Sequence, residues 1–153
     1  GRLDTIQAAI LSAKLTVFED EIAARQCVAD RYAMLLADLA AAGQITLPVL
    51  RPHNTSAWAQ YTIRVPDRDQ IQQYLAEQGI PSAVHYPTPL YDQPALAQSI
   101  QDCPESDRAA QEVLSLPMHP YLDDAAQVRV ANALHEAFAD CSNTRSPSAA
   151  AEG

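Results

Sequence analysis

The sequence predicts an α+β fold, a two-layer sandwich in which helices cover a small, mostly antiparallel sheet, preceded by a long N-terminal helical segment. Apolar residues recur at steps of three and four over residues 3 to 42, as they do along one face of a helix. Residues 57 to 65 alternate between apolar and polar, which is typical of a half-buried strand. Beyond residue 66, helical patterns and short extended runs take turns without an internal repeat.

Length and charge limit the class of protein. The chain has 153 residues and 48% hydrophobic content, which is ordinary for one folded domain. A net charge of -9 argues against a general nucleic-acid binder, which would carry a basic face. No apolar run approaches the roughly 20 residues that span a bilayer. The chain opens without a Met, in what looks like the start of a helix, so we expect a segment cut from a longer chain. The three widely spaced cysteines are expected to be reduced thiols in a cytoplasmic protein.

The first helix is expected over residues 3 to 15. Its narrow apolar stripe could pack on a part of the protein missing from this sequence, on a second subunit, or on this domain's own sheet. Thr16 and Glu19 have the spacing of a capping box, which predicts a second helix from about residue 17 to 42, ended by Gly43. The side chains expected on the buried side of that helix are Phe18, Ile22, Val28, Tyr32, Leu35, Leu36 and Leu39.

The middle of the chain is expected to supply the sheet. Residues 45 to 50 suggest a short strand that Pro48 or Pro52 ends, and residues 57 to 65 give the clearest strand. A helix from Asp67 to Gly79 follows, with its apolar face at residues 71, 74 and 75. Residues 82 to 86 are expected as a further strand.

The last third of the chain is predicted to be mainly helical. Residues 93 to 100 suggest a short helix, and another is expected to start near Pro104 or Ser106 and to end near Val113 and Leu114. A strand over 114 to 116 precedes a final helix from Asp123 or Asp124 to about Ala139. The predicted division is therefore connecting helices at 1–42, a small α+β domain at 43–140 and a flexible tail at 141–153, where the composition cannot bury enough surface to fold.

The segment from Ser82 to Tyr91 carries the most distinctive chemistry. Pro87 and Pro89 bias the residues before them toward extended conformations, which yields a stiff segment that presents His85 and Tyr86. These side chains could meet a ligand. Alternatively, the segment is a buried strand that runs into a turn, with His85 hydrogen-bonded inside the core.

No complete catalytic set can be assembled from spacing alone. The four histidines are far apart and form no metal-binding motif, and the three cysteines suggest neither a disulfide framework nor a zinc site. The only lysine, Lys14, falls within the first helix, where a solvent-exposed or interface role is expected.

Several stretches in order resemble the small domain of the DegT/StrS family of sugar aminotransferases. The segments that carry this resemblance are Arg2 to Leu11, Tyr61-Thr62-Ile63-Arg64, Gly79-Ile80-Pro81, His85-Tyr86-Pro87 with Pro89-Leu90, and Leu114 to Pro120. Each motif is modest, but their order and spacing from residue 2 to about 139 are specific to that family.

The resemblance implies a fold-type I enzyme that depends on pyridoxal 5'-phosphate (PLP) and works as a homodimer. Such an enzyme transfers an amino group, commonly from glutamate, to a keto group of a nucleotide-linked sugar. The family's catalytic lysine and the aspartate at the PLP ring nitrogen lie upstream of Arg2. This chain alone is therefore expected to be inactive, with PLP bound mainly by a large domain.

Three residues match substrate-binding positions of that family. Arg2 matches an arginine that pairs with a substrate carboxylate or phosphate, a role that suits the bidentate geometry of guanidinium. His85 and Tyr86 match a His-Tyr pair that contacts the nucleotide sugar, where imidazole and phenol can donate or accept hydrogen bonds. For Arg2 the alternative is a surface arginine at a helix N-terminus.

Two functions follow from the resemblance. The chain is either part of an aminotransferase that serves polysaccharide or glycoconjugate biosynthesis, or a stand-alone, non-catalytic module that binds sugar nucleotides or a partner. The presence or absence of a lysine-bearing large domain in the same reading frame distinguishes the two.

Overall fold

The computed structural model describes residues 3–96 and 103–144, with side chains described up to residue 140. Within these ranges it contains six α-helices, two strands and one short 3-10 helix at Leu90–Asp92. In chain order the named elements are α1 (Thr5–Leu15), α2 (Phe18–Leu35), α3 (Ala37–Ala41), β1 (Tyr61–Arg64), α4 (Arg68–Glu77), α5 (Pro104–Glu112), β2 (Val113–Leu116) and α6 (Asp124–Thr144). The predicted α+β class, a small antiparallel sheet covered by helices, is confirmed.

The sheet consists of β1 and β2 in antiparallel register, with Tyr61 opposite Leu116 and Arg64 opposite Val113. One isolated bridge extends it on each side, from Thr46 to Arg64 and from Ala83 to Ser115. The strands predicted at 45–50 and 82–86 are therefore wrong as strands, since each contributes a single bridge. Prolines near both segments lack the N–H that a longer ladder needs.

The predicted strand at 57–65 is shortened to β1 by a turn at its start. Trp58 has a positive φ of 44°, which takes the chain out of the extended conformation before Tyr61. The predicted alternation holds where the strand is paired: Tyr61, Ile63 and Val65 are buried, whereas Thr62 and Arg64 are half-buried.

The core lies where α6 packs against α2 and α4, and where α4 packs against β2. The side chains predicted to face inward from the last helix are confirmed as buried: Val130, Leu134, Ala137 and Phe138. Ile71 and Leu75 of α4 are buried as predicted, and Gly79 ends this region with a positive φ of 66°.

The helical segment at 17–42 differs from its prediction in two places. The break after α1 is confirmed, but the capping box is wrong, because the Thr16 hydroxyl donates to the Ala13 carbonyl at 2.7 Å and Val17 takes the N-cap position. A second break at Leu36, with φ -109° and ψ 9°, separates α2 from α3. The Leu36 side chain is fully buried at this break, so the residue that leaves helical geometry is also part of the core. Gly43, with φ 71°, ends the segment as predicted.

Helix α1 has no buried residue, although its N-cap is well formed by Asp4, whose carboxylate accepts from the backbone N–H of Ile6 at 2.8 Å. Packing of this helix on the domain's own sheet is therefore wrong. Its large apolar side chains stay exposed, and with their neighbours in the break they are Leu3, Ile6, Ile10, Leu11, Leu15, Val17 and Phe18. Phe18 was predicted to be buried and is not.

The remaining differences concern element ends. Val113 and Leu114 belong to β2 rather than to the end of the preceding helix. The last helix continues to Thr144, beyond the predicted end at Ala139 and into the segment expected as a tail. Residues 145–153 lie outside the described ranges, as do residues 97–100 of the short helix predicted at 93–100; its described part, 93–96, is turn rather than helix.

Candidate functional site

His85 and Tyr86 lie on an exposed segment that leaves the sheet at its β2 edge. Ala83 and Ser115 exchange two backbone hydrogen bonds of 3.1 and 2.7 Å, after which the chain turns away from the sheet. His85 is exposed, and 77% of Tyr86 is accessible. The two rings meet edge to face at 5.8 Å across a cis peptide bond. The alternative of a buried, hydrogen-bonded His85 is therefore wrong.

The far end of the same segment is tied to α5. The Tyr91 hydroxyl donates to the Asp107 carboxylate, and the Asp92 backbone N–H donates to the Pro89 carbonyl at 3.1 Å. The hydrogen bond to Asp107, followed by desolvation, raises the pKa of Tyr91 above its usual value. Together with the bridge at Ala83, these bonds hold the His-Tyr segment at both ends.

A cavity of about 270 Å³ adjoins His85. Its lining combines the polar side chains of Gln60, Ser82 and Ser115 with the apolar side chains of Pro81, Pro117 and Met118. The hydroxyls of Ser115 and Thr62 lie 2.9 Å apart as a cross-strand hydrogen bond on the sheet. In the described part of the chain, neither the Gln60 amide nor the Ser82 hydroxyl has a side-chain hydrogen-bond partner.

Tyr32, Trp58 and Tyr61 form an aromatic cluster with ring centroids 5.1 and 5.7 Å apart. Trp58 and Tyr61 flank the cavity-lining residues 59 and 60 in the chain. The Tyr32 hydroxyl donates to the Pro117 carbonyl at 3.0 Å and so holds one wall. The Trp58 indole N–H donates to Gln26 at 2.7 Å, which fixes the chain two residues before Gln60. Burial, with a smaller effect of Tyr61, raises the pKa of Tyr32; burial and then Asp30 raise the pKa of Tyr61 to about 12.

A larger cavity of about 770 Å³ lies between α2 and the start of α6. It is spanned by an ion pair of Arg31 and Asp124 and contains no histidine or tyrosine in its lining. We place the candidate site at His85, because polar side chains without partners converge there on a cavity.

The other chemical predictions have different outcomes. Arg2 lies outside the described residues, so its substrate role stays a prediction. Lys14 is exposed near the end of α1. Within residues 3–96 and 103–140, no group of three or more metal-binding side chains comes together. In the same part of the chain, none of the helices has the length and apolar character to span a membrane.

Sequence reasoning identified the His-Tyr pair but missed Gln60, Ser82 and Met118. Gln60 lies on the polar face of the strand predicted at 57–65. That alternation placed its side chain away from the core, and this was the one signal in the sequence that could have indicated a surface role. Ser82 and Met118 belong to stretches recognised as motifs. Their convergence depends on the sheet register between β1 and β2, which are distant in the chain, and spacing in the sequence does not reveal that register.

The chain is similar to one family along most of its length. A sequence model described as the DegT/DnrJ/EryC1/StrS aminotransferase family matches residues 1–135. The UDP-2-acetamido-2-deoxy-3-oxo-D-glucuronate aminotransferase of Pseudomonas aeruginosa is 49% identical over 126 residues, which cover 82% of this chain and 34% of that protein. The dTDP-3-amino-3,6-dideoxy-alpha-D-galactopyranose transaminase of Aneurinibacillus thermoaerophilus is 35% identical, over 88% of this chain and 36% of its own.

Solved structures agree with this similarity. A DegT/DnrJ/EryC1/StrS aminotransferase from Brucella abortus superposes with a TM-score of 0.81 at 40% identity, covering 88% of this chain and 36% of the other. NtdA from Bacillus subtilis, solved with the bound cofactor PMP, gives a TM-score of 0.69 at 28% identity, covering 78% and 28%. The chain thus spans about a third of the length of the curated relatives that it matches.

Proposed function

The chain belongs to the DegT/DnrJ/EryC1/StrS aminotransferase family, and on that premise we propose that it forms the small domain of an enzyme acting on nucleotide-linked sugars. The reaction is transfer of an amino group, with glutamate as donor, to a keto group of the sugar. The observation that carries this proposal is the exposed His85-Tyr86 pair beside a cavity, in a chain 49% identical to a UDP-sugar aminotransferase.

His85 and Tyr86 act as substrate-binding residues in this proposal. Their rings are exposed, and no hydrogen bond within the described residues uses either polar group. Each can therefore donate to or accept from the hydroxyls and diphosphate of a sugar nucleotide. Pro87, Pro89 and the bond between Tyr91 and Asp107 limit the freedom of the segment, which lowers the entropy lost on binding. Arg2 is proposed as a third substrate contact, to a carboxylate or phosphate.

The cofactor of the proposed enzyme is PLP, which supplies the carrier for the amino group. The described residues of this chain do not fit the role of holding it. Lys14 is exposed near the end of α1, away from the cavity lining, and the cavity beside His85 presents neither a lysine nor a carboxylate. PLP is therefore proposed to bind in a large domain of the full-length protein, and this chain contributes to the substrate side of the site.

The full-length protein is proposed to be a homodimer that works in the cytoplasm and serves polysaccharide or glycoconjugate biosynthesis. The exposed apolar side chains of α1, such as Ile6 and Ile10, support an assembly that covers this helix. The biosynthetic setting is supported by the sugar-nucleotide names of the relatives.

The experiment is an amino-transfer assay of the full-length protein with PLP, glutamate, and UDP- and dTDP-linked keto-sugars. The proposal expects an amino sugar and 2-oxoglutarate in equal amounts. Sugar-nucleotide binding without turnover would instead favour a non-catalytic module. The absence of both would exclude the proposed substrate class.

A further inference from the structure

We propose that the cavity beside His85 binds the pyrimidine base of the nucleotide-linked sugar and that Gln60 recognises the edge of that base. This inference rests on the proposed function. It goes beyond it by assigning one moiety of the substrate to a place in this chain and one residue to the choice of nucleotide.

The charge of the cavity selects an uncharged moiety. None of its lining residues is a lysine, arginine, aspartate or glutamate, and His85 is the one titratable side chain among them. A diphosphate is bound best by charge-assisted bonds from arginine or lysine or by helix N-termini, which this lining lacks. The diphosphate therefore belongs outside the cavity, where exposed His85 and Tyr86 can reach it.

The size and walls of the cavity select a small, flat ring. Its volume of about 270 Å³ lies just below the roughly 300–1,000 Å³ of sites that enclose a whole drug-sized ligand, so one part of a nucleotide sugar fits. Pro81, Pro117 and Met118 provide apolar wall. These apolar side chains offer no hydrogen bond to a sugar ring, which has a hydroxyl on most carbons. A base has two apolar faces and concentrates its polar atoms on its edge.

Gln60 supplies the matching edge. Gln60 is exposed at the cavity, so its side chain is accessible to a ligand. A carboxamide offers N–H donors beside a carbonyl acceptor, and Gln60 uses neither in a bond with the described residues. Uracil and thymine present an imide, with an N–H donor between two carbonyl acceptors, so the carboxamide can form two hydrogen bonds with it. The Ser82 hydroxyl, half-buried and also without a partner, is available for the second carbonyl.

The backbone before Gln60 is fixed, as a recognition residue requires. Arg25 donates to the Trp58 carbonyl at 3.0 Å, and Gln26 accepts from the Trp58 indole at 2.7 Å. The sugar nucleotides named for two relatives carry uracil or thymine, which share the imide edge and differ by a methyl group away from it.

The test measures dissociation constants of UDP, dTDP, CDP and ADP for the full-length protein and three variants. Wild type is expected to bind UDP and dTDP more tightly than CDP or ADP. Gln60→Leu should weaken UDP binding by about 5- to 150-fold, as expected for a lost bidentate base contact. Gln60→Glu should shift the UDP-to-CDP preference toward CDP, because a carboxylate accepts from the cytosine amino group but cannot donate to a uracil carbonyl.

The matched control is Gln70→Leu, on the exposed face of α4 outside the cavity lining, which should leave all four constants unchanged. Equal UDP binding by the Gln60→Leu and Gln70→Leu proteins would overturn the base assignment, while amino transfer by both would leave the proposed function intact. If wild type shows neither nucleotide binding nor amino transfer, the proposed function fails and the inference fails with it.

Discussion

Individual residues in this chain divide between those that serve the fold and those left free for a ligand. Tyr32 and Tyr61 are buried and contact each other, whereas His85 and Tyr86 are exposed. A buried hydroxyl needs a partner to offset its lost hydration, and an exposed one does not. Removal of a tyrosine hydroxyl is therefore expected to affect stability at a buried position and ligand binding at an exposed one.

The first residue-scale prediction concerns His85 and Tyr86. In the full-length protein, His85→Ala and Tyr86→Phe should each raise the KM for the nucleotide sugar by about 5- to 150-fold, if each change leaves a bound polar group unpaired. Steady-state kinetics at saturating glutamate measure this. His53→Ala and Tyr121→Phe, which alter exposed side chains outside the cavity, are the matched controls. A KM unchanged in both site variants would remove them from the substrate site.

The second prediction contrasts the two buried phenols. Tyr32 donates to the Pro117 carbonyl at 3.0 Å, whereas the Tyr61 hydroxyl is buried without a partner among the described residues. Tyr32→Phe should therefore lower the free energy of unfolding by about 1 kcal/mol, and Tyr61→Phe should leave it equal or higher. Urea denaturation followed by circular dichroism gives both values. A larger loss in Tyr61→Phe than in Tyr32→Phe would contradict the assignment.

The third prediction is the alkaline dependence of stability. The folded pKa of Tyr61 is about 12, above the value near 10 expected in the unfolded chain, so the folded state keeps its proton longer. This contribution is complete below pH 10 and is lost as the pH rises from about 10 to 12. The free energy of unfolding should fall over that window, and less steeply in Tyr61→Phe. Parallel curves for wild type and variant would disprove the role of Tyr61.

At the scale of elements, the helices differ in what they contribute to the core. Helices α2, α4 and α6 contribute the buried side chains of the core, whereas α1 contributes none. Leu36 marks the boundary between two helices and is fully buried. The exposed apolar side chains of α1 are the basis for proposing that an assembly covers this helix.

The element-scale prediction tests this separation. Ile6→Gln combined with Ile10→Gln should change the free energy of unfolding of this chain by no more than about 0.5 kcal/mol, because both side chains are already exposed. Leu36→Ala, the buried control, should cost about 2–5 kcal/mol. Urea titration compares the two. A loss in the α1 variant close to that of the control would mean that α1 packs on the domain.

The same pair of changes has a second readout in the full-length protein. There, Ile6→Gln with Ile10→Gln is expected to shift the proposed homodimer toward monomer in sedimentation velocity experiments. A dimer of wild-type stability would exclude α1 from the subunit interface.

At the scale of the whole molecule, we propose that the chain supplies one wall of a substrate site. The described residues bring His85, Gln60 and Ser82 to one cavity, but place Lys14 on an exposed helix away from it. Binding sites form preferentially between domains, where each side contributes part of the contacts. A site shared between domains would explain why the cavity lining in this chain contains no lysine.

The prediction at this scale is that the 153-residue chain has no amino-transfer activity with PLP, glutamate and a keto-sugar nucleotide, whereas the full-length protein is active. Lys14→Arg in the full-length protein should leave kcat within about twofold, since an arginine retains the charge at an exposed position. Product formation followed by chromatography measures both. Turnover by this chain alone, or loss of kcat in the lysine variant, would assign catalysis to Lys14.

The sequence by itself determined the buried faces of α4 and α6, the paired part of β1 and the family. Periodicity placed α4 and α6 with their buried faces, because steps of 3.6 and 2 residues record which side meets the core. The His85-Tyr86 motif was recognised, but its exposure was not. Only the tertiary structure showed that α1 has no buried residue and that the segments at 45–50 and 82–86 each form a single bridge. It alone also placed Gln60 and Ser82 at one cavity. These features depend on contacts between distant parts of the chain, which local patterns do not encode.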